Sequence, residues 1–247
     1  MTQEPTGDRA LEQLKVRERK ERKLKNLIRS WLGLDISRAS HPVNIWDSTE
    51  DFVESYEKIR DDTSVGDARC FMIYQFAKQA RSLDGDVAEV GVYRGGTAKL
   101  IAEVFKGRNK TVHLFDTFSG MPTVSNIDLM KDGDFSKTSL EGVRRFLADC
   151  DNVAFHMGVF PQTAEPLSNL SFCFVHIDVD IYRSVLDCLE FFYPRMTTGG
   201  VMLLDDYEWV RCPGVKKAVT EFLSDKRESL IVTTRYQGAI VKLGTRL

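Results

Sequence analysis

Apolar residues follow two alternating patterns through the C-terminal two thirds of the chain. From Gly85 onward, short β-rich apolar runs occur at Asp86–Val92, Val112–Asp116, Val153–Gly158, Phe172–Val179 and Gly200–Tyr207. Between them, Thr97–Phe105, Thr138–Ala148, Arg183–Tyr193 and Pro213–Leu223 carry apolar residues at helical spacing, as in Val215, Ala218, Val219 and Phe222. Continuous apolar strands alternating with helices predict a parallel sheet covered on both faces. Ser229–Thr234 and Gly238–Leu243, separated by a short turn, predict a closing antiparallel hairpin. The expected fold is therefore α/β, with a mostly parallel seven-stranded sheet and helices on both faces.

The first third reads differently. Leu11–Leu32 contains no Gly or Pro and places Leu24, Leu27, Ile28, Trp31 and Leu32 on one stripe, which predicts a helix. Its first half is nearly all charge, which suits a solvated leader, a dimer arm or a lid over a neighbouring subunit. Gly33–Val43 reads as a linker, so residues 1–40 are expected to form a charged leader and residues 41–247 one domain. Ser48-Thr-Glu-Asp51 resembles a capping box opening a helix to about Ile59. Ala68–Leu83 predicts a second helix with a broad apolar face. Together these two would form a helical cap on the domain.

Composition narrows the function classes. The chain has 247 residues, 43% of them hydrophobic, and a formal net charge of −2. That supports one sizeable core and argues against a nucleic-acid partner, because such domains are usually strongly basic. No apolar run approaches the roughly 18 residues of a spanning helix, and the polar start does not read as a secretory signal, so stable membrane insertion is not expected and a cytoplasmic location is. Cys70, Cys150, Cys173, Cys188 and Cys212 are dispersed without a CxxC pair, against a disulfide framework or a thiolate zinc site. Charge is uneven: residues 1–30 carry +4, which leaves −6 on the rest.

An open α/β sheet binds its ligand beyond the carboxyl ends of its strands. The first predicted strand ends in Glu89-Val-Gly-Val-Tyr-Arg-Gly-Gly-Thr97, where Gly91 and Gly95 allow a tight turn and close backbone approach to a ligand. The spacing is not the dinucleotide fingerprint G-x-G-x-x-G, and no Gly-Lys-Ser/Thr marks a phosphate loop. The second strand ends at Asp116, 25 residues beyond Gly91, where an acid either accepts ribose hydroxyls or caps the next turn. The fourth ends His176-Ile-Asp178-Val-Asp180-Ile-Tyr182 and the fifth Leu203-Leu-Asp205-Asp206-Tyr207. Four carboxylates at the ends of two neighbouring strands repel unless a cation or proton joins them. Hard oxygen donors favour Mg²⁺, Mn²⁺ or Ca²⁺ over zinc. His176, earlier in its strand, is expected to be packed or hydrogen-bonded. Trp46, Tyr74, Phe160 and Trp209 are large enough to stack on a ring, but each is expected in the core.

With these motifs the chain resembles the macrocin-type (TylF/MycF-like) sugar O-methyltransferases, class I S-adenosylmethionine-dependent enzymes of natural-product tailoring. The matching pieces are Glu89-Val-Gly-Val-Tyr-Arg-Gly-Gly, Phe115-Asp-Thr-Phe-Ser-Gly-Met-Pro122, Gly158-Val-Phe-Pro161, His176–Tyr182 and Asp205-Asp-Tyr207. The resemblance covers about Asp47 to Leu243 and leaves residues 1–40 unexplained. It implies the class I methyltransferase Rossmann-like fold. It further implies that Asp178, Asp205 and Asp206 hold Mg²⁺ or Mn²⁺, that Asp180 is the general base, and that Glu89, Gly91, Tyr93, Asp116, Ser119 and Gly158 lie at the cosubstrate. Residues 119–136 would form a mobile lid over a sugar or glycoside acceptor, and the protein would be a homo-oligomer.

Other readings have identifiable requirements. A catechol-type O-methyltransferase usually ends its fifth strand with Asp-Asn, whereas Asp205-Asp206 stands here. A nicotinamide-dependent oxidoreductase would want G-x-G-x-x-G and a Tyr-x-x-x-Lys, and neither is present. A metal-dependent hydrolase would leave the glycine turn unexplained. A non-catalytic nucleoside-binding or scaffold protein of the same fold would keep the turn without needing all four acids.

Overall fold

The structure is a computed structural model that describes residues 44–244. The chain divides into two units, Met1–Asp47 and Ser48–Leu247, and the sheet lies within the second. The predicted leader helix Leu11–Leu32 and the linker Gly33–Val43 lie outside the described residues.

Two helices precede the sheet, α1 (Glu50–Glu57) and α2 (Asp67–Ala80). The expected capping box at Ser48 is not formed: the helix starts one residue later, with Thr49 at the cap and no capping hydrogen bond from its side chain. The strand–helix rhythm then follows, as β1 (Asp86–Val90), α3 (Gly96–Phe105), β2 (Val112–Asp116), α4 (Leu140–Phe146), β3 (Val153–Met157), β4 (Phe172–Ile177), α5 (Tyr182–Phe192), β5 (Met196–Leu204) and α6 (Pro213–Leu223). The hairpin is β6 (Ile231–Val232) and β7 (Gly238–Val241). The seven strands form one sheet in the order β3-β2-β1-β4-β5-β7-β6. Strands β1 to β5 pair in parallel, and β7 runs antiparallel to both β5 and β6.

β5 begins four residues before the predicted strand. Thr197-Thr198-Gly199-Gly200 reads locally as a turn, yet Met196 pairs with Phe172, and a register irregularity in β4 absorbs the difference. β6 is shorter than expected because only Ile231 and Val232 find partners on β7.

Side-chain alternation decides which face of the sheet serves which layer. Ala88, Val90, Val175, Ile177, Met202 and Leu204 share one buried cluster with residues of α5 and α6. The alternate positions, Glu89, His176 and Leu203 among them, stand on the other face, where α2 packs against β4 and β5. Residues 178 and 205 continue that face past the strand ends, beneath α2. Strand order reverses between β1 and β4, which opens a crevice at their carboxyl ends. Cys70, Cys173, Cys188 and Cys212 are buried free thiols. Tyr74 is core, packed against Phe52 at 5.6 Å between ring centroids. Among the described residues no helix is long and apolar enough to cross a membrane.

Candidate active site

The crevice holds a cavity of about 170 Å³ walled by the strand-end turns. At the end of β1 the chain turns sharply at Gly91, where φ is +91°. A Cβ there would stand 1.9 Å from the carbonyl oxygen of Asp178, so the β1 and β4 ends touch backbone to backbone. Gly91 N–H donates to Phe115 O and Asp178 N–H to Val90 O, both at 2.9 Å, which binds three strand ends together.

Asp116 performs the capping role that the sequence left open. One carboxylate oxygen accepts from Val92 N–H at 2.8 Å and Tyr93 N–H at 2.9 Å; the other accepts from Phe118 N–H at 2.6 Å. It thereby fixes the glycine turn. A carboxylate offers about four acceptor positions, so one remains, and Asp116 also lines the cleft. Left-handed backbone at Tyr93, Phe118, Asp180 and Asp206 concentrates around the same crevice. Sparsely populated backbone of this kind clusters at functional sites.

Of the expected residues, Gly91, Tyr93, Asp116, Gly158, Asp178, Asp180 and Asp206 line the cleft. Glu89, Gly95, Ser119 and Asp205 do not. Gly95 caps α3 beneath Val143 and Phe146, and Ser119 is exposed on the flanking loop. Glu89 is wholly buried and spends one carboxylate oxygen on His176 Nδ1 at 2.8 Å. The two are register partners on adjacent strands. On the far side, His176 Nε2 lies 3.6 Å from Asp205. Burial opposes a charge on His176, but Asp205 and Glu89 outweigh it and push its pKa up to about 10. Burial likewise opposes ionisation of Asp205, yet His176 and Arg69 hold it below the usual carboxylate range. His176 is thus hydrogen-bonded within the core, as the sequence suggested.

The four acids converge. Donor atoms of His176, Asp178 and Asp205 lie within 4.8 Å of one another, and so do those of Asp180, Asp206 and Cys212. The expected trio Asp178, Asp205 and Asp206 is therefore divided between two groups. Arg69 of α2 links them: one guanidinium nitrogen lies 3.0 Å from Asp206 and 3.4 Å from Asp205. Gln237, fully buried before β7, donates to the other Asp205 oxygen at 2.5 Å. No local pattern marks Arg69 or Gln237, which lie 137 and 32 residues along the chain from acids they touch.

Burial and the neighbouring acids hold Asp178 well above the usual carboxylate range. Burial and Asp206 do the same to Asp180. Carboxylate oxygens of Asp180 and Asp206 lie within 4.8 Å of each other, and the Cys212 thiol donates to Asp180 at 3.3 Å. One Asp205 oxygen is buried with no hydrogen-bond partner. A buried, oxygen-rich cluster of four carboxylates, one oxygen of which accepts no hydrogen bond, fits a hard divalent cation.

Residues 119–136 form a folded loop without helix or strand. Its base is paired, with Met121 N–H on Asp134 O at 2.8 Å and Gly133 N–H on Met121 O at 3.1 Å. Its middle is pinned by the buried Asp128, which accepts the Tyr182 N–H at the start of α5, and by Met130 in the core. Met121, Pro122 and Phe135 face the cleft from this loop, and Phe160 and Trp209 from the opposite elements. Trp46 is half-buried.

Comparison with known proteins accords with this geometry. The chain is 30% identical to demethyldecarbamoylnovobiocin O-methyltransferase of Streptomyces niveus over a 171-residue alignment, covering 62% of this chain and 64% of that one. It is 31% identical to mycinamicin III 3''-O-methyltransferase of Micromonospora griseorubida over 156 residues, 56% of this chain and 60% of that one. The chain thus spans somewhat under two thirds of the length of these curated relatives. Among solved structures it is similar to the O-methyltransferase NovP, at 29% identity and a TM-score of 0.65 over 74% of this chain and 83% of that one. The calicheamicin methyltransferase CalS11 shares the fold at 16% identity and a TM-score of 0.61 over 82% of this chain and 98% of that one. The family model described as Macrocin-O-methyltransferase (TylF) matches residues 59–229, a span that contains every strand-end motif of the cleft, and the chain belongs to that family.

Proposed function

We propose that the protein is an S-adenosylmethionine- and divalent-cation-dependent O-methyltransferase that acts on a hydroxyl of a sugar or glycosylated natural product. The observation that carries this reading is the meeting of the Gly91 turn and the acid cluster in one cleft, joined through the Gly91–Asp178 backbone contact. When bound, the cation would fix vicinal acceptor oxygens and acidify one hydroxyl, and S-adenosylmethionine would supply the methyl group.

The chain's own residues supply position and a base. The Gly91 turn, held by Asp116, offers close backbone approach for the cosubstrate. Asp178, Asp205 and Asp206 would hold the cation, with Gln237 orienting Asp205 from behind. Asp180 faces the cleft two residues beyond Asp178 and takes the acceptor proton. In the cation-free cluster, burial and Asp206 hold the Asp180 carboxyl well above the usual carboxylate range. Met121, Phe135 and Trp209 present apolar surface that excludes water from the transfer.

The test is methyl transfer from S-adenosylmethionine to a panel of glycosides, with Mg²⁺ or with a chelator. Activity that needs the cation, and an Asp180→Asn variant that binds Mn²⁺ normally but loses turnover by about 100-fold or more, is expected. Full activity in chelator, or in the variant, would sink the metal–base assignment.

A further inference from the structure

Arg69 is a cation already placed among the acids. It projects from the first turns of α2, lines the cleft, and is the one basic side chain among the described residues paired with both Asp205 and Asp206. It lies 3.4 Å from the Asp205 oxygen that accepts no hydrogen bond and 3.0 Å from an Asp206 oxygen, two of the carboxylates proposed to hold the cation. Gln237 occupies the remaining Asp205 oxygen and also reaches the Arg69 carbonyl at 3.5 Å, so the start of α2 and the β5 end are tied as one piece.

We infer that Arg69 is a built-in counter-ion that holds the acid cluster together before the cation arrives and competes with the cation for Asp205 and Asp206. This rests on the metal reading above. A guanidinium and a divalent ion drawn to the same two carboxylates compete for them and repel each other. The attraction of Arg69 to the acids is therefore subtracted from metal affinity. It is a positioning residue: it sets how tightly the cation is held and takes no part in the transfer.

The test is calorimetric titration of MnCl₂ and MgCl₂ into the full chain, wild type against Arg69→Gln and Arg69→Lys, at one pH and ionic strength. Melting temperatures in chelator and in excess Mg²⁺ are measured alongside. Arg69→Gln should bind the cation about tenfold more tightly, corresponding to about 1.4 kcal/mol. It should melt lower than wild type in chelator and gain more from Mg²⁺. Arg69→Lys keeps the charge on a shorter, single-pronged head and should fall between the two. Equal or weaker binding by Arg69→Gln beside a clear wild-type isotherm overturns the counter-ion role and leaves the metal reading standing. A wild type that binds neither cation overturns both. If Arg69→Gln does not fold, Arg69→Lys decides: tighter than wild type supports the inference, and equal or weaker overturns it.

Discussion

Replacing Gly91 by Ala tests whether the β1 turn and the acid cluster are one mechanical unit. The new Cβ would lie 1.9 Å from the Asp178 carbonyl oxygen and 2.8 Å from its carbon. Relief needs roughly 1.5 Å of separation, because non-bonded heavy atoms pack at about 3.5 Å. The hydrogen bond from Asp178 N–H to Val90 O, now 2.9 Å, could not survive that movement. The left-handed backbone adds about 1–2 kcal/mol. With a lost hydrogen bond of about 1 kcal/mol and overpacking of about 1–3 kcal/mol, the cost comes to about 3–6 kcal/mol. In urea, at a slope of about 2 kcal/mol/M, the midpoint should fall by about 1.5–3 M. Gly107→Ala is the control. Its φ of +71° carries the same backbone strain, but nothing lies within 4 Å of the added carbon. It should cost only about 1 kcal/mol. Because Asp178 moves with the clash, Gly91→Ala should also weaken S-adenosylhomocysteine binding by about tenfold or more, and Gly107→Ala should not. A Gly91→Ala variant within 1 kcal/mol of the control, or one that binds normally, would refute the coupling.

Two further substitutions probe buried histidines. His176→Ala leaves Glu89 and Asp205 facing each other without the imidazolium, and should cost about 3–5 kcal/mol in urea denaturation at pH 7. The wild-type His176 pKa is raised to about 10, so its contribution is complete below about pH 6.5 and lost as pH rises toward 10. Wild-type stability should therefore decline from pH 7 to 10 more steeply than that of the variant, and parallel curves would contradict the ion pairing. His113 behaves in the opposite sense. Burial lowers its pKa despite Asp86 at 3.4 Å, so the unfolded chain binds the proton more readily and stability falls as pH drops below about 6.5. His113→Asn should flatten the loss between pH 7 and 5, and an unchanged slope would exclude His113 as its source.

Much of this protein is written locally. The order and type of the elements follow from apolar period, since strands need alternate or continuous apolar faces and helices a 3.6-residue stripe. The strand-end acids Asp178, Asp180, Asp205 and Asp206 and the Gly91 turn stand out for the same reason: each lies immediately beyond a buried run. Caps and edges were less legible. Ser48 offered a capping box that the helix passes over, and β5 extends through Thr-Thr-Gly-Gly because a neighbouring strand supplies partners that no local pattern reveals. What tertiary structure alone decided is which charges meet. Strand register sets Glu89 against His176, and three backbone N–H groups converge on Asp116, which the sequence left open between ribose ligand and turn cap. Arg69 is silent in the sequence and lies over Asp205 and Asp206 only because α2 packs across β4 and β5. Electrostatic partnership depends on distance through space, and apolar periodicity places the elements without naming the charges that their packing brings together.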